Sequence, residues 1–172
     1  MSGNSKSVLA VLDREDQDNV KADLSVFFGP RAHIFLEIYN QMLTRKGSKR
    51  LYVTSWSWVV LLTGFPWFFY RKMYGFGAAL VLIPFLIHYV IGGIGMVALA
   101  ATFAISAKGG YVRAGLRRLL KADELALAGE ERQRYLARAG GVSVVAGTIA
   151  GVTVAAATVV VFAGHGIAHR PI

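Results

Sequence analysis

The sequence predicts an all-α integral membrane protein with three transmembrane helices. Three long stretches contain no Asp, Glu, Lys or Arg, at residues 51–70, 75–107 and 139–164. Over all 172 residues, 55% are apolar and 17% are charged, below the roughly 25% charged residues of soluble domains. A bilayer requires about 20 apolar residues for each helical crossing, whereas a soluble core does not require unbroken runs of that length.

The chain divides into four predicted parts. They are a polar N-terminal arm (1–25), a juxtamembrane amphipathic helix (26–50), a three-helix membrane domain (51–164) and a C-terminal tail (165–172). Within the membrane domain we place the spans at about 51–70, 78–104 and 141–163, with a cytoplasmic basic loop at 108–138 that contains an amphipathic helix.

The part before the first span is polar at its start and periodic afterwards. Residues 1–24 contain five acidic residues and no long apolar run, so they do not resemble a signal peptide. We therefore expect a cytoplasmic N-terminus. Ile34, Ile38 and Met42 recur at four-residue spacing, which predicts a helix with an apolar stripe against the membrane surface or another helix.

The first two spans contain residues that weaken a helix. Gly64 and Pro66 near the end of the first span predict a tilted, kinked or partly inserted segment. The second apolar run has 33 residues, about 50 Å as a straight helix, and Pro84 and Gly92-Gly93 are its weak points.

The distribution of basic residues favours one topology. Three spans with a cytoplasmic N-terminus place 16 of the 19 Lys and Arg in the cytoplasm, as the positive-inside rule requires for a bacterial inner-membrane protein. One alternative places 18 there: residues 51–70 lie in the interface and 75–107 form a shallow, re-entrant hairpin. We favour three spans because a hairpin with two full crossings needs about 40 residues. Topology explains the net charge of +9, and no nucleic-acid partner is expected.

Small residues on the third span predict close helix packing. Ser143, Gly147, Gly151 and Ala155 are four residues apart and share one helix face. The partner is either the second span, through a face that includes Gly92, or a second copy of the same helix.

Two groups of residues predict contact with lipid or with a partner. In the loop, four basic residues lie beside an apolar stripe: Arg113, Arg117, Arg118 and Lys121. The first span contains and leads into an aromatic and basic group: Trp56, Trp58, Trp67, Tyr70, Arg71, Lys72 and Tyr74. The second group is typical of an interfacial anchor, or else Arg71 and Lys72 clamp a lipid phosphate or a partner's carboxylate. The basic loop is either a docking surface or a topology signal.

Catalytic and cofactor chemistry is not predicted. The chain has no cysteine, no recognisable catalytic motif and no carboxylate within an apolar run. His88 is the one histidine inside a predicted span and is therefore a candidate polar site. A haem held by two histidines needs a second histidine at matching depth, which this chain lacks. From these absences together we expect no enzyme activity, no cofactor and no metal.

Residues 55–77 resemble a bacterial family catalogued as domain of unknown function 2628. The family's Trp-x-x-Tyr-Arg-Lys-Met-Tyr signature matches Trp67 and residues 70–74 here. The resemblance extends over most of residues 26–150, although Ser57 and Lys108 stand where the family usually has Asn. It implies a small bacterial membrane protein with no established reaction.

The sequence therefore predicts a non-enzymatic accessory, regulatory or assembly subunit of a larger membrane complex or homo-oligomer. Its expected partners are membrane lipids, other membrane-protein subunits and copies of itself. Two alternatives stay open: a component of an oligomeric channel or transporter, and a haem- or quinone-binding membrane subunit.

Overall fold

Every regular element in the described part of the chain is a helix or a helical turn, as predicted. The computed structural model describes the backbone of residues 3–168, and the side chains of 8–83 except 48, and of 95, 97–157 and 159. The helices are α1 (Gly3–Leu12), α2 (Gln17–Phe28), α3 (Ala32–Thr44), α4 (Trp58–Thr63), α5 (Pro66–Tyr70), α6 (Tyr74–Glu124), α7 (Gly129–Ala139) and α8 (Val144–Ala168), with short 3₁₀ turns at Gly29–Arg31 and Gly47–Leu51.

Five helical segments pack around one buried core, which we call the head. They are α1, α2, α3, the part of α6 from residue 104 onwards, and α7. The short helices α4 and α5, which we do not count in the head, add Val60, Trp67 and Phe68 to the same core. Tyr111, Leu116 and Leu119 of α6 are buried and lie in the same core as Phe28 and Tyr39 from the first three helices. The head therefore has the interior of a water-soluble helical domain.

The N-terminal region is part of this core rather than a polar arm. α1 and α2 bury apolar side chains that are spaced three or four residues apart: Val8, Val11, Leu12, Val20 and Leu24. That part of the predicted domain division is wrong. The stripe is narrow and surrounded by charged residues, so the average composition of the segment conceals it.

Both predicted amphipathic helices face protein. α3 buries Phe35, Ile38 and Met42 in the core of the head. Its apolar stripe therefore contacts other helices and not the membrane surface. The basic loop helix is not separate, because residues 108–124 continue α6. Its apolar stripe, including Val112, lies in the head core and not on lipid, since α2 and α7 cover it.

Residues 51–70 do not form one helix, and that prediction is wrong. Residues 52–57 have no regular secondary structure, and the Ser55 amide donates to the Ile105 carbonyl oxygen of α6 at 3.0 Å. α4 has only six residues and ends at Gly64, whose φ of 62° lies in the left-handed region that favours glycine. Pro66 then starts α5, which has five residues. The glycine and the proline together divide the apolar run.

The 51-residue helix α6 turns back on itself. The ring centroids of Phe76 and Phe103 are 6.0 Å apart, whereas a straight helix would separate these positions by about 40 Å. Leu80 likewise lines a small cavity together with Leu99 and Ala100. The reversal therefore lies between Leu80 and Leu99, and residues 74–103 form a helical hairpin.

One helical stretch in the described residues is long and apolar enough to cross a membrane. It lies within Gly129–Ala157, and its apolar part belongs to α8, since α7 is charged. Only 11% of its most apolar part is buried in the molecule. One helix thus has the length and composition of a membrane span, and the predicted arrangement of three transmembrane helices stays a prediction. We refer to the hairpin and α8 together as the apolar arms.

The start of α8 is fixed to the head through two glycines. A Cβ on Gly140 would lie 2.0 Å from the Phe27 carbonyl oxygen, so only glycine fits there. The Gly141 amide donates to that same oxygen at 2.6 Å, and the Ser143 amide donates to the Tyr70 carbonyl oxygen at 2.7 Å. These contacts leave no loose linker between α7 and α8.

A network of ion pairs joins the helices of the head. Asp123 of α6 accepts from Arg14 and from Arg132, each at 2.6 Å, and Arg132 also donates to Asp23 at 2.7 Å. Burial raises the pKa of Asp123, but the hydrogen bonds from the two arginines outweigh it and hold the pKa below its usual value. The network ties α2, α7 and the turn between α1 and α2 to the end of α6.

Candidate functional site

Arg71 lies in the turn between α5 and α6 and is only 6% exposed to solvent. Pro66 starts α5 and suits the first turn of a helix. The helix ends where Lys72 adopts a φ of 55° and the Met73 amide donates to the Phe68 carbonyl oxygen at 2.8 Å. This closure turns the Arg71 side chain inward.

Three aromatic rings surround the Arg71 guanidinium. Its central carbon lies 4.7 Å from the ring centroid of Phe35, 5.2 Å from that of Tyr111 and 5.8 Å from that of Tyr70. Nη1 also makes a long hydrogen bond of 3.5 Å to the Phe28 carbonyl oxygen. The rings come from three different helices, so the tertiary fold builds this surrounding.

Tyr111 is kept neutral beside this cation. Burial raises the pKa of the Tyr111 hydroxyl, and the nearby Arg71 charge opposes that effect. The hydroxyl donates to the Gly141 carbonyl oxygen at 3.2 Å. Tyr111 therefore supplies a ring face, and not a counter-charge, to the guanidinium.

The Arg71 charge has no acidic partner among the described residues. Its Nε is buried and has no hydrogen-bond partner in that part of the chain. A buried charge without a partner costs several kcal/mol, and cation–π contacts of about 0.5–2 kcal/mol do not offset it fully. The guanidinium retains capacity to bind an anion.

A cavity of about 450 Å³ opens beside Arg71. Arg31 and Lys108 also line it, and none of the described residues around it is acidic. Lys108 reaches the cavity from α6, where its Nζ donates to the Trp56 carbonyl oxygen at 2.9 Å and lies 3.4 Å from the Ser55 hydroxyl. The three cations make the cavity a positively charged site.

The rest of the cavity is mainly apolar. α4 and α5 contribute Val59, Pro66 and Trp67, and the first turn of α8 contributes Val144 and Gly147. The cavity is therefore lined both by charged groups and by apolar side chains. A ligand that fits both would be an anion attached to an apolar group.

A second cavity of about 500 Å³ lies on another side of Arg71 and is also basic. It brings together four of the predicted basic residues with Arg71: Lys72, Arg117, Arg118 and Lys121. The Lys72 ammonium donates to the Arg138 carbonyl oxygen at 3.0 Å, and the basic side chains from α6 are exposed. Most of these charges are therefore hydrated.

The remaining predicted anchor residues are divided between buried and exposed positions. Trp67 is buried against Tyr111, with their ring centroids 6.2 Å apart. Trp56 and Trp58 are exposed, and their rings meet edge to face. Tyr74 is exposed at the second cavity. The structure therefore assembles Trp67, Tyr70 and Arg71 and leaves the other aromatics on the surface.

Arg113 does not join the other basic residues of α6. Its guanidinium carbon lies 5.9 Å from the ring centroid of Tyr52. Burial lowers the pKa of Arg113, and the Arg117 charge lowers it further. Arg113 thus lies one helical turn from Arg117, but it packs against Tyr52 and does not line the second cavity.

The predicted small-residue face of α8 has two kinds of environment. A Cβ on Gly147 would lie 2.9 Å from the Tyr70 Cβ, so Gly147 packs against α5. Ser143 caps the helix by accepting from the Ala146 amide at 3.3 Å. No atom of the described residues lies within 4 Å of a Cβ added to Gly151, and Ala155 is exposed. Half of the face is thus used inside the molecule.

His88 and Gly92 lie outside the residues whose side chains the structure describes. The candidate polar site at His88, the haem alternative built on it and the packing role of Gly92 stay predictions.

Four residues of the site were missed by sequence reasoning. They are Arg31, Phe35, Lys108 and Tyr111. Lys108 carried one usable signal, because it is the first charge after a long apolar run. Arg31 and Phe35 carried none, since only the packing of α3 against α5 and α6 brings them to Arg71.

Comparison with known proteins yields no match: no protein-family model, no curated protein and no solved structure matches this chain. Its resemblance to the family catalogued as domain of unknown function 2628 stays a prediction that rests on the residues quoted above.

Proposed function

We propose that this chain is a non-enzymatic protein of the bacterial inner membrane, which acts as an accessory, regulatory or assembly subunit. One observation carries the proposal: the same molecule combines a packed, charged head with apolar arms that the head does not cover. Val145 and Val152 of α8 are 70% and 63% exposed. Apolar surface of that extent marks contact with a membrane or a protein partner.

The proposed topology has α8 crossing the membrane and the hairpin entering and leaving on the head side. Each hairpin arm contains about 14 residues, roughly 20 Å, which is less than the thickness of a hydrocarbon core of about 30 Å. Such a hairpin satisfies its backbone groups internally and need not cross. Head, hairpin ends and N-terminus are then cytoplasmic, which places 18 of the 19 Lys and Arg inside.

Cysteine labelling tests this topology, and the chain offers a clean background because it has no cysteine. We expect Tyr74→Cys and Glu124→Cys to react with a membrane-impermeant maleimide only in inverted vesicles. A cysteine appended after Ile172 should react only from the outside. Labelling of Tyr74→Cys from the outside would support three crossings and overturn the hairpin topology.

The proposed assembly role is supported by the open half of the α8 face. Where lipid surrounds a helix, small residues allow a second helix to approach closely. Gly147 already packs against Tyr70, whereas Gly151 and Ala155 remain accessible to a partner helix. The partner is another membrane subunit or a second copy.

Two glycine substitutions separate assembly from stability. Gly147→Leu should lower the melting temperature, because the new side chain meets Tyr70. Gly151→Leu should leave the melting temperature unchanged and reduce the mass of the complex isolated in mild detergent. Val152→Leu is the matched control and should change neither. A wild-type protein that is monomeric at every concentration, with nothing co-purifying, would refute the assembly role.

A further inference from the structure

We propose that the cavity of about 450 Å³ binds the phosphate of an anionic membrane phospholipid. Arg71 forms the floor of the site, and Arg31 and Lys108 lie around the headgroup. The acyl chains leave between α4 and the first turn of α8. The proposal deepens the membrane role above and rests on its placement of α8 in the bilayer.

The buried arginine is the first reason. Arg71 is 6% exposed, its Nε has no partner among the described residues, and its charge is not matched by any described carboxylate. A phosphate oxygen at the cavity floor would accept from this guanidinium in a charge-assisted hydrogen bond. The ligand would supply the counter-charge that the described part of the chain does not.

The cations at the rim are the second reason. Arg31 is exposed, and Lys108 is half-buried and oriented by the Trp56 carbonyl oxygen. Together with Arg71 they give the cavity three positive charges. A zwitterionic headgroup would bring its own cation into this field, so the site favours a lipid with net negative charge.

The apolar walls distinguish a lipid from a free anion. Val59 and Pro66 from α4 and α5 and Val144 from the start of α8 line the cavity together with the cations. Trp58 and Leu62 of the same helix α4 do not line the cavity and are 65% and 80% exposed. Exposed tryptophan is typical of the membrane interface. The charged part of the cavity would therefore lie at headgroup depth and the apolar part below it.

The second basic cavity fits a specific lipid less well. The Lys72 ammonium already donates to a backbone carbonyl, and Arg117, Arg118 and Lys121 are exposed. Arg71 is the only buried cation among the described residues lining it, and exposed charges attract lipid weakly and are screened by salt. It serves as the comparison site in the experiment.

The experiment uses the purified full chain in delipidated detergent micelles. Phosphatidylglycerol, phosphatidylcholine or inorganic phosphate is added, and bound lipid is measured by native mass spectrometry alongside the melting temperature. We expect phosphatidylglycerol to stay bound and to raise the melting temperature. Phosphatidylcholine should bind about tenfold more weakly, and phosphate at the same concentration should have no effect. Equal binding of both lipids, or an equal effect of free phosphate, would overturn the proposal.

Substitutions locate the lipid within the molecule. Arg31→Gln and Lys108→Gln should each weaken phosphatidylglycerol binding by about tenfold, because each removes a charge-assisted contact. Arg118→Gln at the second cavity and Lys21→Gln on α2 should leave binding unchanged, although each removes the same charge. Weaker binding in Arg118→Gln but not in Arg31→Gln would overturn the site.

Loss of lipid binding can be distinguished from loss of the fold and from a wrong membrane topology. Arg31 is exposed, so the lipid-free Arg31→Gln variant should melt like the wild type, and a loss of binding is then not a loss of fold. Lipid binding is measured in micelles and does not depend on orientation. A wrong topology would therefore change only the cysteine labelling, whereas a wrong lipid site would change only the lipid binding measured in micelles.

Discussion

The head and the apolar arms remove their side chains from water in different ways. In the head, Leu116 is fully buried and Asp123 has two arginine partners. On α8, Val152 is 63% exposed and the described residues carry no charged side chain. The head supplies its own apolar interior, whereas the arms need one from lipid or from another helix. Four predictions test this contrast, beginning with the largest expected effect.

Shortening a leucine in the head should have the largest effect. Leu116→Ala removes fully buried methyl groups from the core and should lower the free energy of unfolding by about 2–5 kcal/mol. Ile149→Ala on α8 is the control, because Ile149 is 63% exposed and should change it by less than about 0.5 kcal/mol. Both values come from urea titration in mild detergent. Equal losses would mean that α8 packs inside the protein.

Two adjacent glycines of α6 should respond in opposite directions. A Cβ on Gly109 would lie 2.6 Å from the Val53 carbonyl oxygen, so Gly109→Ala should destabilise the protein by about 1–3 kcal/mol. Gly110 has nothing within 4 Å of that position, and Gly110→Ala should stabilise the helix by up to about 1 kcal/mol. Thermal melting checks both. Similar shifts of the melting temperature for the two variants would refute the contact between residues 52–57 and α6.

The ion pairs of the head should make its stability fall in acid. The folded-state pKa of Asp123 lies below its usual value of 3.8, so the carboxylate stabilises the fold above that value. This stability is lost as the pH falls through the folded-state pKa. Asp123→Asn should cost about 1–2 kcal/mol at pH 7 and flatten the acid dependence of unfolding. An unchanged acid profile would show that the network does not stabilise the head.

A surface ion pair should have the smallest effect. Arg134 donates to Glu130 on α7, but their side chains are 71% and 82% exposed. Arg134→Ala should change the free energy of unfolding by less than about 0.5 kcal/mol. Arg132→Ala on the same helix should cost more, since Arg132 joins Asp23 and Asp123. A larger loss for Arg134 would contradict the ranking by burial.

The sequence predicted which regions are apolar better than it predicted where the helices in those regions begin, end and reverse direction. The uncharged run at 139–164 correctly indicated a long helix with exposed apolar side chains, which is α8, whereas the run at 51–70 does not form one helix. The length of the uncharged run at 75–107 is compatible with one span or with a hairpin, and it does not reveal that residues 76 and 103 meet. Gly64 and Pro66 were recognised as weak points, and their combined effect was to divide the first segment into α4 and α5.

The site was predicted in part for a related reason. The Tyr70-Arg71 pair drew attention because aromatic and basic residues adjoin at the end of an apolar run. The direction of Arg71 depends on the left-handed conformation of Lys72, which no propensity favours. The rings of Phe35 and Tyr111 come from positions far along the chain. Local patterns do not contain such long-range packing.

The head is built from chain on both sides of the hairpin, and this sets the order in which the molecule can form. The ion pairs Arg14–Asp123 and Arg132–Asp23 each join residues 109 positions apart. During translation, α1, α2 and α3 leave the ribosome before the part of α6 that completes their core exists. Their apolar faces must therefore wait through synthesis of the hairpin, exposed to chaperones or to the bilayer, before the head can close.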